Sequence, residues 1–162
     1  MEAKRLAGLS APLKWGITAY LLLASLGFCV AALMSHYHYG FDHAKTVTYY
    51  LGSESEMAMP KLYPQILQAA HVHSFTMPMV FLPVWLGLHF LSLSDGWKKL
   101  LIAGGALSIL LYNSAPFLVR YESSSSVYLF TIGGIGLFLF FLVPAGFILK
   151  ETWLGTRANN AK

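Results

Sequence analysis

The sequence predicts an all-α integral membrane protein, a four-helix bundle with a long outer loop between its first two helices. Of the 162 residues, 56% are hydrophobic and only 11% are charged, and the mean hydropathy is +0.57. A soluble domain carries about a quarter charged residues, so this chain is too apolar to be one. Four stretches without Asp, Glu, Lys or Arg cover about residues 16–35, 74–92, 100–118 and 127–149.

Each apolar stretch is close to the roughly 20 residues that a helix needs to cross the hydrocarbon of a bilayer. A backbone surrounded by lipid must satisfy its own hydrogen bonds, so four spans mean four helices. The whole chain, residues 1–162, is then one membrane domain in contact with the lipid bilayer.

The basic residues predict the orientation of the bundle. Eight of the eleven Lys and Arg residues precede the first stretch, separate the second from the third, or follow the fourth. By the positive-inside rule these are cytoplasmic, which puts both termini inside (N-in/C-in). The net charge of +4 therefore reports topology, and no nucleic-acid partner is expected. The eight residues are Lys4, Arg5, Lys14, Lys98, Lys99, Lys150, Arg157 and Lys162; Lys45, Lys61 and Arg120 lie on the other side.

The outer loop, about residues 37–68, contains too many Tyr and Phe residues for a flexible linker. We expect it to lie against the membrane surface, with a short interfacial helix over about residues 42–51. Pro64 is well suited to the first turn of a helix, so it predicts the start of the second long helix.

Five of the six histidines lie at the outer ends of the first two helices, which points to a haem or metal site there. Because these helices run antiparallel, His36 reaches the same depth as His71 and His73. In a helix His71 and His73 point about 200° apart, so only one of them needs to ligate. We predict haem held by His36 and His71, with His73 as the substitute ligand. His38 and His43 are expected to be exposed in the loop or to contact lipid headgroups.

Other residues refine this prediction. Arg120 is the best partner for the haem propionates, since its guanidinium pairs bidentately with carboxylates. The chain has no C-x-x-C-H motif, which excludes covalent c-type attachment and leaves haem b. Tyr112, Asn113 and Ser114 interrupt the third span, where they either bond to neighbouring helices or line a quinone pocket.

Two alternatives stay open. The pairs Met57 and Met59, and Met77 and Met79, combine thioethers with nearby imidazoles, a ligand set that suits copper. The chain would then be a copper-handling membrane protein. The second alternative is a cofactor-free accessory subunit of a respiratory or photosynthetic complex.

The segment from Ala70 to Met79 resembles small uncharacterised bacterial four-helix membrane proteins that carry an H-x-H pair at the start of their second helix. Its A-H-x-H start also looks like helices of proteins distantly similar to haem–copper oxidase subunits, in which such histidines bind haem. Those enzymes need a further set of copper-binding histidines that this chain lacks. The resemblance implies a haem protein of the bacterial inner membrane without oxygen-reducing activity of its own.

The chain has no paired carboxylates, nucleophile elbow or phosphate loop within its spans, so we expect an electron-transfer subunit and not an autonomous enzyme. The expected function is electron transfer between the quinone pool and a periplasmic or complex-bound redox partner.

Overall fold

The computed structural model describes residues 6–39 and 42–155, and the regular structure there is helical. It comprises α1 (Ala11–Tyr39), α2 (His43–Leu51), α3 (Tyr63–Leu88), α4 (Asp95–Tyr121) and α5 (Val127–Leu154). Single 3₁₀ turns cover Leu6–Gly8 and Ser124–Ser126, and Ser53 forms an isolated bridge with Ala58. The predicted all-α class is confirmed for this part of the chain.

Three helices are long and apolar enough to cross a membrane: Ala11–His38, Asp95–Tyr121 and Ser124–Leu154. They contain the predicted spans 16–35, 100–118 and 127–149. Of the predicted span 74–92, residues 74–88 lie in α3, which ends at Leu88. There the backbone tightens into i→i−3 hydrogen bonds, from His89 N to Leu86 O (3.2 Å) and from Phe90 N to Gly87 O (3.1 Å). α3 has 26 residues and is not among these three helices.

The loop between α1 and α3 contains the short helix that the sequence predicted. The Asp42 carboxylate caps α2 by accepting from the backbone N–H groups of Ala44 (2.8 Å) and Lys45 (3.4 Å). α2 ends at Leu51 and is followed by Gly52, whose φ of 81° suits glycine. α3 begins at Tyr63 with Pro64 in its first turn, as expected.

α4 and α5 pack with their backbones in close approach. A Cβ atom added to Gly133 of α5 would lie 2.7 Å from the Tyr112 nitrogen and 3.2 Å from the Ser108 oxygen of α4. Small residues at such contacts allow helices in lipid to associate through van der Waals packing. The contact fixes the position of Tyr112, which lies in the site described below.

The core lies between α3, α4 and α5, with α1 against one side. Its fully buried members include Phe81 and Val84 of α3 and Phe141 of α5. A smaller cluster of Tyr50, Ile66, Val119 and Val127 lies at the end of the bundle that carries α2, called the α2 end here. Most large apolar side chains of α1 are exposed, as suits a helix that faces lipid.

Candidate functional site

The two histidines of α3 point to different surroundings. The His71 ring is exposed and lies 5.2 Å from the Phe75 ring, centroid to centroid. The His73 ring is half-buried, 6.1 Å from the Tyr112 ring of α4 and nearly perpendicular to it. The opposite faces predicted for a helical segment are therefore confirmed, and the inward-facing residue is His73.

His73 lies on the wall of a cavity of about 360 Å³ between α1 and α5, which we call the apolar cavity. Its surface is mainly carbon, supplied by residues such as Phe28, Leu137 and Phe138. Met77, one helical turn after His73, lines it too. The polar side chains on its wall are Ser35, His43, Thr46, His73, Tyr112 and Thr131.

A second cavity of about 240 Å³, the polar cavity, lies between α2, α3 and α4 at the α2 end. It shares three wall residues with the apolar cavity, namely His73, Tyr112 and Phe130. The polar cavity is further lined by Tyr49, Tyr50, Lys61, Gln65, Ile66, Ala69, Ala70, Asn113 and Pro116.

Tyr112 stands between the two cavities. Its ring stacks on Phe130 of α5 with centroids 4.4 Å apart and an interplanar angle of 27°. On the side of the apolar cavity, Tyr112 shares the lining with Ser35 of α1. The shared wall is thus built by α4 and α5, with His73 facing it from α3.

His43 is a member of this site that the sequence reasoning assigned to the exposed loop. Its Nε2 lies 2.9 Å from the Thr131 hydroxyl of α5, and its ring packs edge-on against Tyr128 with centroids 4.6 Å apart. Being the first residue of α2, it shares a face with Thr46, three residues later, which also lines the apolar cavity. Two features of the sequence could have indicated this position: Asp42, which suits the N-cap of a helix, and the i, i+3 spacing of His43 and Thr46.

The other predicted site residues do not line either cavity. His36 is exposed and follows Ser35, which does line the apolar cavity. The Arg120 Nε donates to the Lys61 carbonyl at 3.1 Å, and its guanidinium lies 5.3 Å from the Tyr121 ring centroid. Of these two residues, Lys61 is therefore the one that lines the polar cavity, and Arg120 bonds to its backbone.

Across residues 6–39 and 42–155, no three His, Cys, Asp or Glu side chains come together to hold a metal ion. A haem needs less from the protein, since its own macrocycle supplies the equatorial nitrogens and the protein adds one or two axial ligands. The sixth histidine, His89, is exposed at the far end of α3, away from this site.

Comparison with known proteins identifies the family. No curated protein and no solved structure matches the chain. A family described as a transmembrane helical domain matches residues 40–159. The match includes α2 to α5, and with them His73 and Tyr112, which line both cavities. The protein is a membrane protein, and it belongs to the Aq_1264_TM family of transmembrane helical domains.

Proposed function

We propose that the protein is a membrane-embedded electron-transfer subunit that binds haem b in the apolar cavity, with His73 as an axial ligand. The observation that carries the proposal is the half-buried His73 imidazole on the wall of a cavity of about 360 Å³. An ionisable side chain at such a position within a membrane protein usually has a functional partner.

The wall suits a porphyrin because it is mostly apolar and carries the aromatic rings of Phe28, Phe130 and Phe138. Lys61 in the neighbouring polar cavity supplies a cation for the propionates. Met77 follows His73 by one turn on the same face, so these two residues do not reach opposite sides of one iron. His43 of α2 is the best candidate for a second ligand. Its Nε2 would bind the iron in place of its present partner, the Thr131 hydroxyl.

The rest of the topology belongs to the same proposal. We infer that α3 is the fourth span of a four-helix bundle, with both termini cytoplasmic and the α2 end facing the periplasm of a bacterial inner membrane. The distribution of Lys and Arg supports this orientation. Electrons would pass between the quinone pool and a periplasmic or complex-bound redox protein through the haem at the α2 end.

The test is the reduced-minus-oxidised absorption spectrum of the purified chain. We expect Soret and α bands that His73→Ala abolishes. His71→Ala is the matched control on the same helix, and it leaves the bands in place. His43→Ala changes a six-coordinate spectrum into a five-coordinate one. Loss of the bands in His71→Ala and His36→Ala, with bands retained in His73→Ala, would instead support the ligand pair predicted from the sequence.

A copper site is the second candidate, because the Met77 thioether and the His73 imidazole line the same cavity. Metal analysis of the same preparation separates the two. Copper without haem bands would refute the haem proposal, and a colourless, metal-free protein would support an accessory subunit.

A further inference from the structure

Asn113 carries a buried acceptor with no partner. Its Nδ2 donates to the Ile109 carbonyl at 2.9 Å and lies 3.7 Å from the Met77 sulfur, whereas its Oδ1 is buried without any hydrogen bond. An unsatisfied buried carbonyl oxygen is costly, so a donor is expected next to it. Asn113 lines the polar cavity, but its Oδ1 lies beneath the cavity surface, so the amide must turn before a donor in the cavity reaches this oxygen.

Trp85 provides a contrast. Its Nε1 is the other buried side-chain polar atom without a partner among the described residues. Trp85 does not line the polar or the apolar cavity, and it donates where Asn113 accepts. Of these two residues, only Asn113 therefore belongs to the wall of the polar cavity.

Water fits this space. At about 30 Å³ for each molecule, a cavity of about 240 Å³ holds several waters. Hydroxyl, amide, ammonium and imidazole groups line it, and a buried water needs two to four such partners. No Asp or Glu side chain lines the cavity, so a resident metal cation has no carboxylate to bind.

The polar cavity runs from an exposed residue, Gln65, to a half-buried one, His73. Lys61 and Gln65 stand at its outer rim, where the Lys61 ammonium lies 4.3 Å from the Tyr49 ring centroid and Gln65 is exposed. His73 follows Gln65 by eight residues, or about 12 Å along α3. The cavity thus joins an exposed rim to the half-buried imidazole on the wall shared with the apolar cavity.

We propose that the polar cavity holds a file of water molecules that carries protons between the aqueous phase at the α2 end and the His73–Tyr112 wall. Hydration of the polar cavity does not depend on the proposed function. The use of the proton rests on the proposed function: a proton delivered to this wall compensates the negative charge of an electron added in the apolar cavity.

The first experiment measures water access by labelling cysteines in native membranes with a charged methanethiosulfonate reagent. Ala70→Cys is introduced into the full-length Cys29→Ala protein, and Ala32→Cys in the apolar cavity is the matched control, since both alanines are half-buried. We expect Ala70→Cys to react at least ten times faster than Ala32→Cys. Pro116→Cys, at another half-buried position of the same cavity, replaces Ala70→Cys if that variant does not fold. Equally slow reaction at the polar and apolar positions would overturn the proposal.

The second experiment measures proton uptake with a pH-indicator dye when the haem-containing protein is reduced. Ala70→Leu narrows the water file, so we expect proton uptake to slow at least tenfold. Unchanged uptake in Ala70→Leu would refute proton conduction even where labelling shows water. The labelling does not need haem, so a colourless protein whose Ala70→Cys reacts quickly would refute the proposed function and keep the hydrated cavity.

Discussion

Gly133→Ala tests how closely α4 and α5 approach. The added methyl carbon would lie 2.7 Å from the Tyr112 nitrogen and 3.1 Å from the Tyr112 Cα. Ordinary contact begins near 3.4 Å, so the two helix backbones must separate by about 0.7 Å. Both atoms belong to the backbone, which means that no side-chain rotation relieves the clash.

The expected change combines two opposing terms. Alanine is favoured over glycine within a helix by about 1 kcal/mol, whereas overpacking costs about 1–3 kcal/mol. Gly146→Ala is the matched control on α5, because no atom lies within 4 Å of its added Cβ. We expect Gly133→Ala to unfold with a free energy about 1–3 kcal/mol lower than Gly146→Ala.

The assay is equilibrium unfolding in mixed micelles with increasing sodium dodecyl sulfate, followed by circular dichroism. Gly134→Ala should resemble the control, since its added Cβ meets the Tyr112 ring at an ordinary 3.6 Å. Equal unfolding free energies for Gly133→Ala and Gly146→Ala would show that the close approach of α4 and α5 does not limit packing, and the structural basis for fixing Tyr112 would be lost.

Two further substitutions test the supports of the site. Asp42→Ala removes the cap of α2 and should lower the unfolding free energy by about 1 kcal/mol, with faster amide exchange in the first turn of α2. Asp42→Asn is the control, because its side chain keeps the acceptor oxygen. Equal unfolding free energies for the two variants would contradict the capping role. Phe81→Ala empties a position that is 0% exposed and should cost roughly 1–3 kcal/mol in the same unfolding assay. Lipid is as apolar as the core, so the cost is mainly that of the cavity. Phe75→Ala, at a side chain 63% exposed, should change little, and equal losses would mean that α3 is rotated from the orientation described.

The helical period was enough to separate His71 from His73, but not to decide which of them faces inward. One stripe of α3 joins His73 to Met77, Phe81 and Val84, and the opposite stripe joins His71 to Phe75, Leu82 and His89. In a soluble helix the more apolar stripe would be the buried one. A membrane helix also presents apolar side chains to lipid, so composition does not distinguish the two. The decision comes from packing, since Phe81 and Val84 are fully buried.

Contacts between distant parts of the chain account for the rest of the site. The sequence predicted the short helix α2, yet it did not place His43 against Thr131, 88 residues later. The choice between Arg120 and Lys61 also depended on such a contact, because the Arg120 Nε is engaged by the Lys61 carbonyl. The polar break at Tyr112 and Asn113 was visible in the sequence. Of its two predicted roles, bonding to a neighbouring helix is represented by Asn113 Nδ2, which lies 3.7 Å from the Met77 sulfur of α3, and the quinone pocket stays a prediction.

The two cavities depend on different parts of the chain. Every residue that lines the polar cavity lies within the family match at 40–159, whereas Phe28, Ala31, Ala32 and Ser35 of α1 precede it and form one wall of the apolar cavity. α1 is held to the bundle by few polar contacts, such as the Trp153 Nε1 donating to the Thr18 hydroxyl at 2.9 Å.

A bulky residue at Ala32 should therefore separate the two proposals. Ala32→Trp fills the apolar cavity from α1 and leaves the polar cavity intact, because Ala32 lines only the former of the two. We expect this substitution to abolish the haem bands while Ala70→Cys, introduced together with it, still reacts quickly with the charged reagent. Retention of the bands in Ala32→Trp would place the haem outside the apolar cavity, and simultaneous loss of labelling would show that the polar cavity also depends on the position of α1.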